Sequence, residues 1–160
     1  MLATFSCVWE IFDLRPIGRV HSSRSQPEDD RWDQETSLVE LVEPFDERSI
    51  RGLETFSHCI VVYVVDQASW DETRMLRHPR SNAAWPEVGI FAQRAKDRPN
   101  RLGVAICRIL VIDGAQIHLA DLDAIDGSPV VDIKPWMVEF GPRGEVAQPQ
   151  WATELMKNYW

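Results

Sequence analysis

The stretch that decides the fold is Cys59-Ile60-Val61-Val62-Tyr63-Val64-Val65, an unbroken apolar run rich in β-branched residues. Side chains of these types pack well on a pleated surface, so the run predicts a strand. Because it shows no alternation with polar residues, we expect this strand to be buried on both faces. The run is far shorter than the roughly 20 residues that a helix needs to cross a bilayer, so we expect no membrane span.

Weaker strand signals lie on both sides of this central run, in residues 37–42, 103–112, 115–120 and 129–133. Asp113-Gly114 separates two of these segments, and a two-residue Asp-Gly connection is the strongest short-range signal for a hairpin. Six or more short strands with few helical patterns favour a mainly β fold that forms a closed or partly closed barrel.

The length of 160 residues suits one domain of ordinary size. We place a β-barrel domain in residues 1–140 and a linker with a short C-terminal helix in residues 141–160. The linker is rich in Gly and Pro. The helix is indicated by apolar residues at helical spacing: Trp151, Leu155, Met156 and Tyr159. We expect it to pack on the barrel or on a dimer partner.

The three cysteines, Cys7, Cys59 and Cys107, lie far apart without CxxC spacing, which disfavours a disulfide framework or a zinc site. Cys59 and Cys107 lie in apolar runs and are expected in the core. The N-terminal residues lack the basic start of a signal peptide. We therefore expect a soluble, cytoplasmic protein in a reducing compartment.

Charge is unevenly distributed along the chain. The net charge of −8 argues weakly against a nucleic-acid partner. Residues 74–108, which we call the basic segment, hold eight Lys or Arg and two acidic residues, a net charge of +6. This pattern is typical of an anion-binding surface or of a solvated face whose arginines pair with acids elsewhere.

A cation-rich loop occupies part of the basic segment. Arg94 and Arg98 present planar guanidinium groups that suit a carboxylate or a phosphate. Pro99 stiffens the loop, and Asn100 tolerates the left-handed region of backbone space. The alternative is a tight turn with solvated arginines.

A second loop brings Asp121, Asp123 and Asp126 close to Gly127. These carboxylates could hold a ribose diol or a ligand ammonium. Their spacing fits no calcium loop, so we expect no metal. The alternative is an Asx-type turn between two strands.

Asp132 and Lys134 alternate along the last predicted strand and therefore share one of its faces. They are either part of a ligand wall or a surface ion pair. The sequence contains neither a P-loop nor G-x-G-x-x-G, which disfavours the common dinucleotide fold but not nucleotide-like ligands in general.

Five blocks, in order, resemble the TsaA-like family and cover roughly residues 14–137. The blocks are Pro16-Ile17-Gly18-Arg19-Val20-His21-Ser22; Arg51-Gly52-Leu53-Glu54-Thr55-Phe56-Ser57-His58; Gly89-Ile90-Phe91-Ala92 with Arg94, Arg98-Pro99-Asn100 and Gly103; Asp123 with Asp126-Gly127-Ser128-Pro129; and Asp132-Ile133-Lys134-Pro135. The best understood members of the family are S-adenosylmethionine-dependent methyltransferases that act on N6-threonylcarbamoyladenosine beside the tRNA anticodon. The resemblance implies a β-barrel outside the Rossmann class and a homodimer with the cofactor near the subunit interface.

The resemblance also assigns roles to individual positions. Cofactor contacts are expected from Trp32, Asp33, Asp66, Gln67, Arg94, Val104, Ala120, Asp121, Leu122 and Asp123. Arg98 and Asn100 would position the acceptor, and the basic segment would give tRNA a surface to meet. For the reaction itself, we expect Asp126 or Asp132 to take the acceptor's proton and Lys134 to help position the acceptor.

The chain departs from the family in one segment above all. A Pro-Arg-Gln-Pro-Gly-like segment near the family's N-terminus is absent, and residues 28–35 stand in its place. Smaller departures are Arg101-Leu102 for Pro-Ile, Ser128 for Thr and Trp136 for Tyr. Three functions follow as expectations: methylation of tRNA, methylation of a small molecule or another RNA, or cofactor binding without catalysis.

Overall fold

The computed structural model describes residues 10–160, so Cys7 lies outside the described residues. The strands are β1 Gly18–His21, β2 Thr36–Leu41, β3 His58–Val64, β4 Leu76–Arg77, β5 Val88–Gly89, β6 Leu102–Asp113, β7 Gln116–Ala120 and β8 Pro129–Pro135. Six of them form a closed barrel in the order β1-β2-β7-β6-β3-β8, while β4 and β5 pair with each other. The prediction of a mainly β barrel is confirmed.

All neighbouring strands in the barrel are antiparallel, and the barrel closes where β1 pairs with β8. Because strand direction alternates around the barrel, β1, β3 and β7 end where β2, β6 and β8 begin. We call this the site end and the opposite one the far end. Loops from widely separated parts of the sequence therefore meet at the site end.

The central strand β3 is buried on one face only. Cys59, Val61 and Tyr63 point into the core, whereas Ile60 and Val62 are half-buried on the outer wall. The expectation of burial on both faces is therefore wrong. Each strand of a small barrel has one face toward the interior and one toward the outside, and here the outer face is apolar although it is partly open to solvent.

The predicted hairpin joins β6 and β7, but its turn lies one residue later than expected. Asp113 still pairs with Gln116, so Gly114 and Ala115 form the two-residue connection. Gly114 has φ +58°, a conformation that a residue without Cβ adopts at no steric cost. A glycine with positive φ at the first central position is typical of a type II′ turn.

The core lies inside the barrel. Its fully buried side chains include Ile117, Leu119, Leu122, Val20, Val39, Val61 and Val130. Cys59 and Cys107 lie opposite each other on β3 and β6 and are free and buried, so the prediction that both are core residues is confirmed.

The tail forms a short helix, α1, at Gln150–Leu155, which continues as a 3-10 turn at Met156–Asn158. The regular helix is thus shorter than the apolar spacing predicted. In the described residues 10–160, no helix is both long enough and apolar enough to cross a membrane.

Candidate functional site

The carboxylate of Asp123 is the polar centre of the site end. The hydroxyl of Tyr63 lies 2.7 Å from the backbone oxygen of Asp123 and 2.9 Å from its Oδ1, so one proton is shared between two acceptors. The hydroxyl of Tyr159 donates to Oδ2 of the same carboxylate. Two tyrosines from the end of β3 and from the tail therefore hold the carboxylate that follows β7.

Both tyrosines act as hydrogen-bond donors at neutral pH. Burial, followed by the negative charge of Asp123, raises the pKa of Tyr63 and of Tyr159 well above the usual range. The positive charge of Arg94 partly opposes the rise in both pKa values. The site thus combines one carboxylate, two neutral phenols and one cation.

Gly103 makes room for the Tyr63 ring. These two residues lie opposite each other on β6 and β3, and a Cβ built on Gly103 would stand 2.3 Å from the ring. Real Cβ atoms essentially never approach another heavy atom so closely. The absence of a side chain at this position is therefore what allows the phenol to reach Asp123.

Arg94 and Val104 are in direct contact. The Nη2 atom of Arg94 donates to the backbone oxygen of Val104 at 2.6 Å, and Arg94 is an exposed residue. A guanidinium has five N–H donors, so this contact leaves others for a ligand.

Ala120, Asp121 and Leu122 lead from β7 to Asp123. Ala120 and Leu122 are buried, and Asp121 has φ +66°, which turns the chain across the end of the barrel. The Asp121 backbone oxygen lies 3.7 Å from the Cys107 Sγ. These residues therefore carry the chain from β7 across the end of the barrel to Asp123.

Asp66 and Gln67 form an exposed turn after β3, and Arg98 and Asn100 lie in the loop that precedes β6. Arg101 joins the two, because its Nη1 donates to the Ala68 backbone oxygen at 3.2 Å and lies 3.4 Å from that of Asp66. Arg101, rather than Asn100, is the residue in the left-handed region, with φ +50°. The cofactor and acceptor positions predicted in these two loops are therefore neighbours.

Trp32 is buried, although it lies in a mostly polar stretch of sequence, residues 22–33. The guanidinium of Arg24 lies 4.5 Å above the Trp32 ring centroid, and Arg24 also pairs with Glu35 at 2.9 Å. Hydrogen bonds from Ser23 and then from Arg24 hold the pKa of Glu35 below its usual range. Asp33, beside Trp32, is exposed.

Asp126 lies at the site end, where its Oδ1 accepts the backbone N–H of Ser22 at 3.1 Å. The Asp126 backbone N–H in turn donates to the Arg24 oxygen at 2.7 Å. The side chain is exposed, so it keeps acceptor positions open to solvent. Both contacts reach residues far away in the sequence, so tertiary contacts rather than an Asx-type turn fix the direction of the carboxylate.

Asp132 and Lys134 form an ion pair of 2.5 Å on the outer wall. In the strand register, Asp132 lies opposite Val62, which lies opposite Val104. Two strand spacings separate Asp132 from Val104, about 10 Å. Lys134 lies opposite Ile60, closer to the far end. Asp132 and Lys134 thus lie on β8 at the outer wall, whereas Asp123 and Asp126 lie in the loop between β7 and β8.

Most cations of the basic segment are engaged within the chain. Arg77 and Lys96 pair with Asp97, Arg80 pairs with Asp30, and Arg108 lies 3.9 Å from Asp121. Arg94 and Arg101 donate to backbone oxygens. Among residues 10–160, Arg74 and Arg98 are the members of the segment for which the structure records no such side-chain contact. Pairing with acids outside the segment, one of the two alternatives from the sequence, thus applies to Arg80 and Arg108, whereas Asp97 lies inside the segment.

Nucleophilic cysteine chemistry is disfavoured at neutral pH in the described residues. Burial raises the pKa of the Cys59 thiol to about 12 and moves that of Cys107 in the same direction. No group of three or more potential metal ligands is found within residues 10–160.

Tyr63, Tyr159 and Arg24 are site residues that the sequence did not single out. In the sequence, Tyr63 belongs to the apolar run of the central strand, and Tyr159 belongs to the helically spaced apolar residues of the tail. Nothing in their local sequence indicates that both reach Asp123, because that contact joins residues 60 and 36 positions apart.

The fold is a small antiparallel barrel that carries a polar cluster of Asp123, Tyr63 and Tyr159 at its site end. Residues 19–141 match the family described as the tRNA-methyltransferase O N-terminal domain. The match covers most of the chain, so the chain belongs to this family and the predicted TsaA-like resemblance is confirmed.

The relatives differ widely in length. The chain is 35% identical over 130 residues to a probable S-adenosyl-L-methionine-binding protein of Archaeoglobus fulgidus, with 79% of this chain and 34% of that protein covered. It is 34% identical over 129 residues to an S-adenosyl-L-methionine-binding protein of the same organism, covering 79% and 90%. It is 33% identical over 113 residues to the human tRNA (adenine(37)-N6)-methyltransferase, covering 70% and 25%. The chain thus spans about a third or less of the first and third proteins and most of the second.

A solved structure shares the barrel. The crystal structure of TrmO from Pseudomonas aeruginosa matches 89% of this chain and 63% of its own chain, with a TM-score of 0.70 and 29% identity. The similarity supports the same strand arrangement in both proteins.

Proposed function

We propose that this chain is an S-adenosylmethionine-dependent methyltransferase whose acceptor is N6-threonylcarbamoyladenosine in tRNA. The observation that carries the proposal is the clustering at the site end: Asp123, Arg94 and the loop of Trp32 converge there from distant parts of the sequence. The family and the names of the relatives support the same cofactor and a tRNA acceptor.

The side chains at the site end suit the proposed cofactor. The Asp123 carboxylate can accept from a ribose diol or an ammonium, and the free N–H groups of Arg94 can bind a carboxylate. Backbone groups of Val104 and of residues 120–122 can contact the adenosine, while Asp66, Gln67 and Asp33 would line the rim. When bound, the cofactor supplies an activated methyl group on a sulfonium.

The residues around this site would position the acceptor and remove its proton. An acylated adenine N6 is more acidic than a plain amine, so a modest base is sufficient. Asp126 is the stronger candidate because it lies at the site end and is held by Ser22, whereas Asp132 is paired with Lys134. Arg98 and Asn100 would orient the carboxylate or a phosphate of the acceptor.

We also propose a cytoplasmic homodimer. The outer wall of β3 and β6 is apolar and open, with Val104 42% and Ile106 48% exposed, and such a surface suits a second copy of the chain. Asp132 and Lys134 border this wall. Sedimentation of the full chain at micromolar concentration tests the dimer, and a strictly monomeric protein would contradict it.

The activity is tested by mixing the protein with labelled S-adenosylmethionine and total RNA. We expect label in tRNA from cells that make the threonylcarbamoyl modification and none in tRNA from cells that lack it. Label in both samples would reject the proposed acceptor, and label in neither would reject tRNA methylation.

The base is tested by comparing Asp126→Asn with Asp132→Asn. The asparagine oxygen can still accept the Ser22 N–H, so Asp126→Asn should fold normally. General-base catalysis typically contributes about 100-fold or more, and we expect a loss of that order in kcat for Asp126→Asn and a much smaller one for Asp132→Asn. The reverse order would assign the base to the outer wall.

A second candidate, methylation of a small molecule or another RNA, is favoured by the internal pairing of the basic segment. Few of its cations are left for phosphates. Each phosphate contact contributes about 0.9 to the log–log salt dependence of duplex binding. A slope near zero for tRNA binding would favour this candidate, and a steep slope would favour tRNA. If the protein binds the cofactor but methylates neither tRNA nor any small molecule or other RNA, its function is cofactor binding without catalysis.

A further inference from the structure

The C-terminal tail takes part in the site end although it lies beyond the family match, which ends at residue 141. Tyr159, the second-last residue of the chain, donates its hydroxyl to Oδ2 of Asp123. Its ring is also in edge-to-face contact with Trp160, with centroids 4.9 Å apart. A residue outside the shared domain therefore touches the carboxylate at the centre of the proposed cofactor site.

Three other hydrogen bonds fasten the tail independently of the Tyr159 hydroxyl. The backbone oxygens of Asn158 and Tyr159 accept from the N–H groups of Arg31, at 2.9 Å, and Trp32, at 2.8 Å. The indole of Trp85 donates to Glu154 at 2.9 Å. Removing the phenol alone should therefore leave the tail in place.

The tail is attached to the segment in which this chain departs from its family. Arg31 and Trp32 belong to residues 28–35, and Arg80 ties the same segment to β4 and its neighbours through Asp30, at 2.7 Å. The altered loop and the tail thus form one continuous border beside Asp123. The departure of residues 28–35 from the family and the contact from the tail therefore both lie beside Asp123.

We propose that the tail forms a wall of the cofactor site and that Tyr159 is a positioning residue for Asp123. The inference rests on the proposed function and adds to it a residue from outside the family domain. A carboxylate has about four acceptor positions, so Tyr63 on Oδ1 and Tyr159 on Oδ2 leave others for the hydroxyls or the ammonium of the cofactor. Because both oxygens are held before the ligand arrives, less freedom is lost on binding.

A tail that blocks the site would have the opposite effect on affinity. If Tyr159 occupied the position of a ligand donor, its removal would free Asp123 and strengthen binding. If Tyr159 orients Asp123, its removal weakens binding. Whether the removal of Tyr159 weakens or strengthens cofactor binding therefore distinguishes a tail that forms a wall of the site from a tail that blocks it.

The experiment is calorimetric titration of S-adenosylmethionine into the full-length wild-type protein, Tyr159→Phe and Lys157→Ala. Because Tyr159→Phe leaves the Asp123 carboxylate less firmly oriented before binding, its Kd should rise about five- to tenfold. Lys157 lies exposed in the same tail, and its replacement should leave the Kd within about twofold. Thermal unfolding without ligand should show that all three proteins are folded, with Tyr159→Phe somewhat less stable because it lacks one hydrogen bond.

A double-substitution cycle with Asp123→Asn tests whether Tyr159 acts through Asp123. In the Asp123→Asn background, Tyr159→Phe should change the Kd by less than about twofold. An unchanged or lower Kd for Tyr159→Phe alone would overturn the inference while leaving the proposed function intact. Absence of binding by the wild-type protein would reject the proposed function itself, and the tail inference with it.

Discussion

The two ends of the barrel are held by different kinds of side-chain contact. At the far end, most side-chain hydrogen bonds join near neighbours: Arg48 to Asp46, Gly52 to Glu54, Thr55 to Gly52 and Ser57 to His58, with Gln116 to Glu40 as a long-range exception. At the site end, local contacts such as Lys96 to Asp97 are joined by many between residues far apart in the sequence: Tyr63 to Asp123, Ser22 to Asp126, Arg80 to Asp30 and Trp85 to Glu154. The far end is thus shaped by local turns and the site end by tertiary structure.

This difference predicts how substitutions at each end affect two quantities, the stability of the fold and the affinity for the cofactor. Contacts between neighbours form wherever the local chain folds, and they can be altered without moving distant groups. Contacts between distant segments depend on the whole barrel, so a change in one of them displaces its partners. Substitutions at the site end should therefore affect stability and cofactor affinity together, while those at the far end should affect stability alone.

The largest expected effect is that of Gly103→Ala. The new Cβ would clash with the Tyr63 ring and push its hydroxyl away from Asp123. Overpacking of this kind costs about 2–3 kcal/mol, and we expect S-adenosylmethionine binding to fall with it. Urea unfolding and calorimetry measure the two effects.

Gly89→Ala is the matched control for that substitution, because a Cβ at Gly89 meets nothing within 4 Å. It should unfold at nearly the wild-type urea concentration. Replacing Tyr63 with Leu in the Gly103→Ala protein should recover part of the stability but not the binding. Equal stability of the two alanine variants would show that the ring is not the obstacle.

A smaller effect is expected for Gly114→Ala in the far-end hairpin. An alanine in the left-handed region costs about 1 kcal/mol relative to glycine, since Gly114 has φ +58°. The free energy of unfolding should fall by that amount, and the Kd for the cofactor should stay unchanged. A weaker cofactor affinity in this variant would contradict the expectation that far-end substitutions change stability alone.

The smallest effect is a difference in acid sensitivity between Glu35→Gln and Asp46→Asn. The pKa of each carboxyl is lowered in the folded protein, that of Glu35 by Ser23 and Arg24 and that of Asp46 by Arg48. A lowered folded-state pKa adds stability above the unfolded-state value, and this stability is lost as pH falls through the folded-state value.

The Glu35 side chain is 14% exposed and that of Asp46 is 44% exposed. Solvent therefore screens the Asp46–Arg48 ion pair more than the Glu35–Arg24 ion pair. Glu35→Gln should therefore flatten the acid limb of the stability curve, measured by urea midpoints from about pH 6 to about pH 3. Asp46→Asn should flatten it less. Identical acid limbs for these two variants would contradict the comparison.

The same division explains what the sequence could predict. The strand at residues 59–65 and the hairpin near Asp113-Gly114 are local patterns, and both exist in the structure with small shifts. Burial of β3 on both faces was wrong, since the apolar outer wall of a barrel has the same composition as its core face. The resemblance pointed to Arg94 and Asp123, whose cofactor roles are proposals, but the phenols of Tyr63 and Tyr159 could not be predicted, because only the folded barrel brings them together.

The close approach of Gly103 and Tyr63 has a consequence for how this sequence can change over generations. An aromatic ring at position 63 is tolerated only while position 103 lacks a side chain, and any larger residue at 103 first requires a smaller one at 63. The two positions are therefore expected to vary as a pair across related chains. Where both have changed, the carboxylate at position 123 must be held by a different donor.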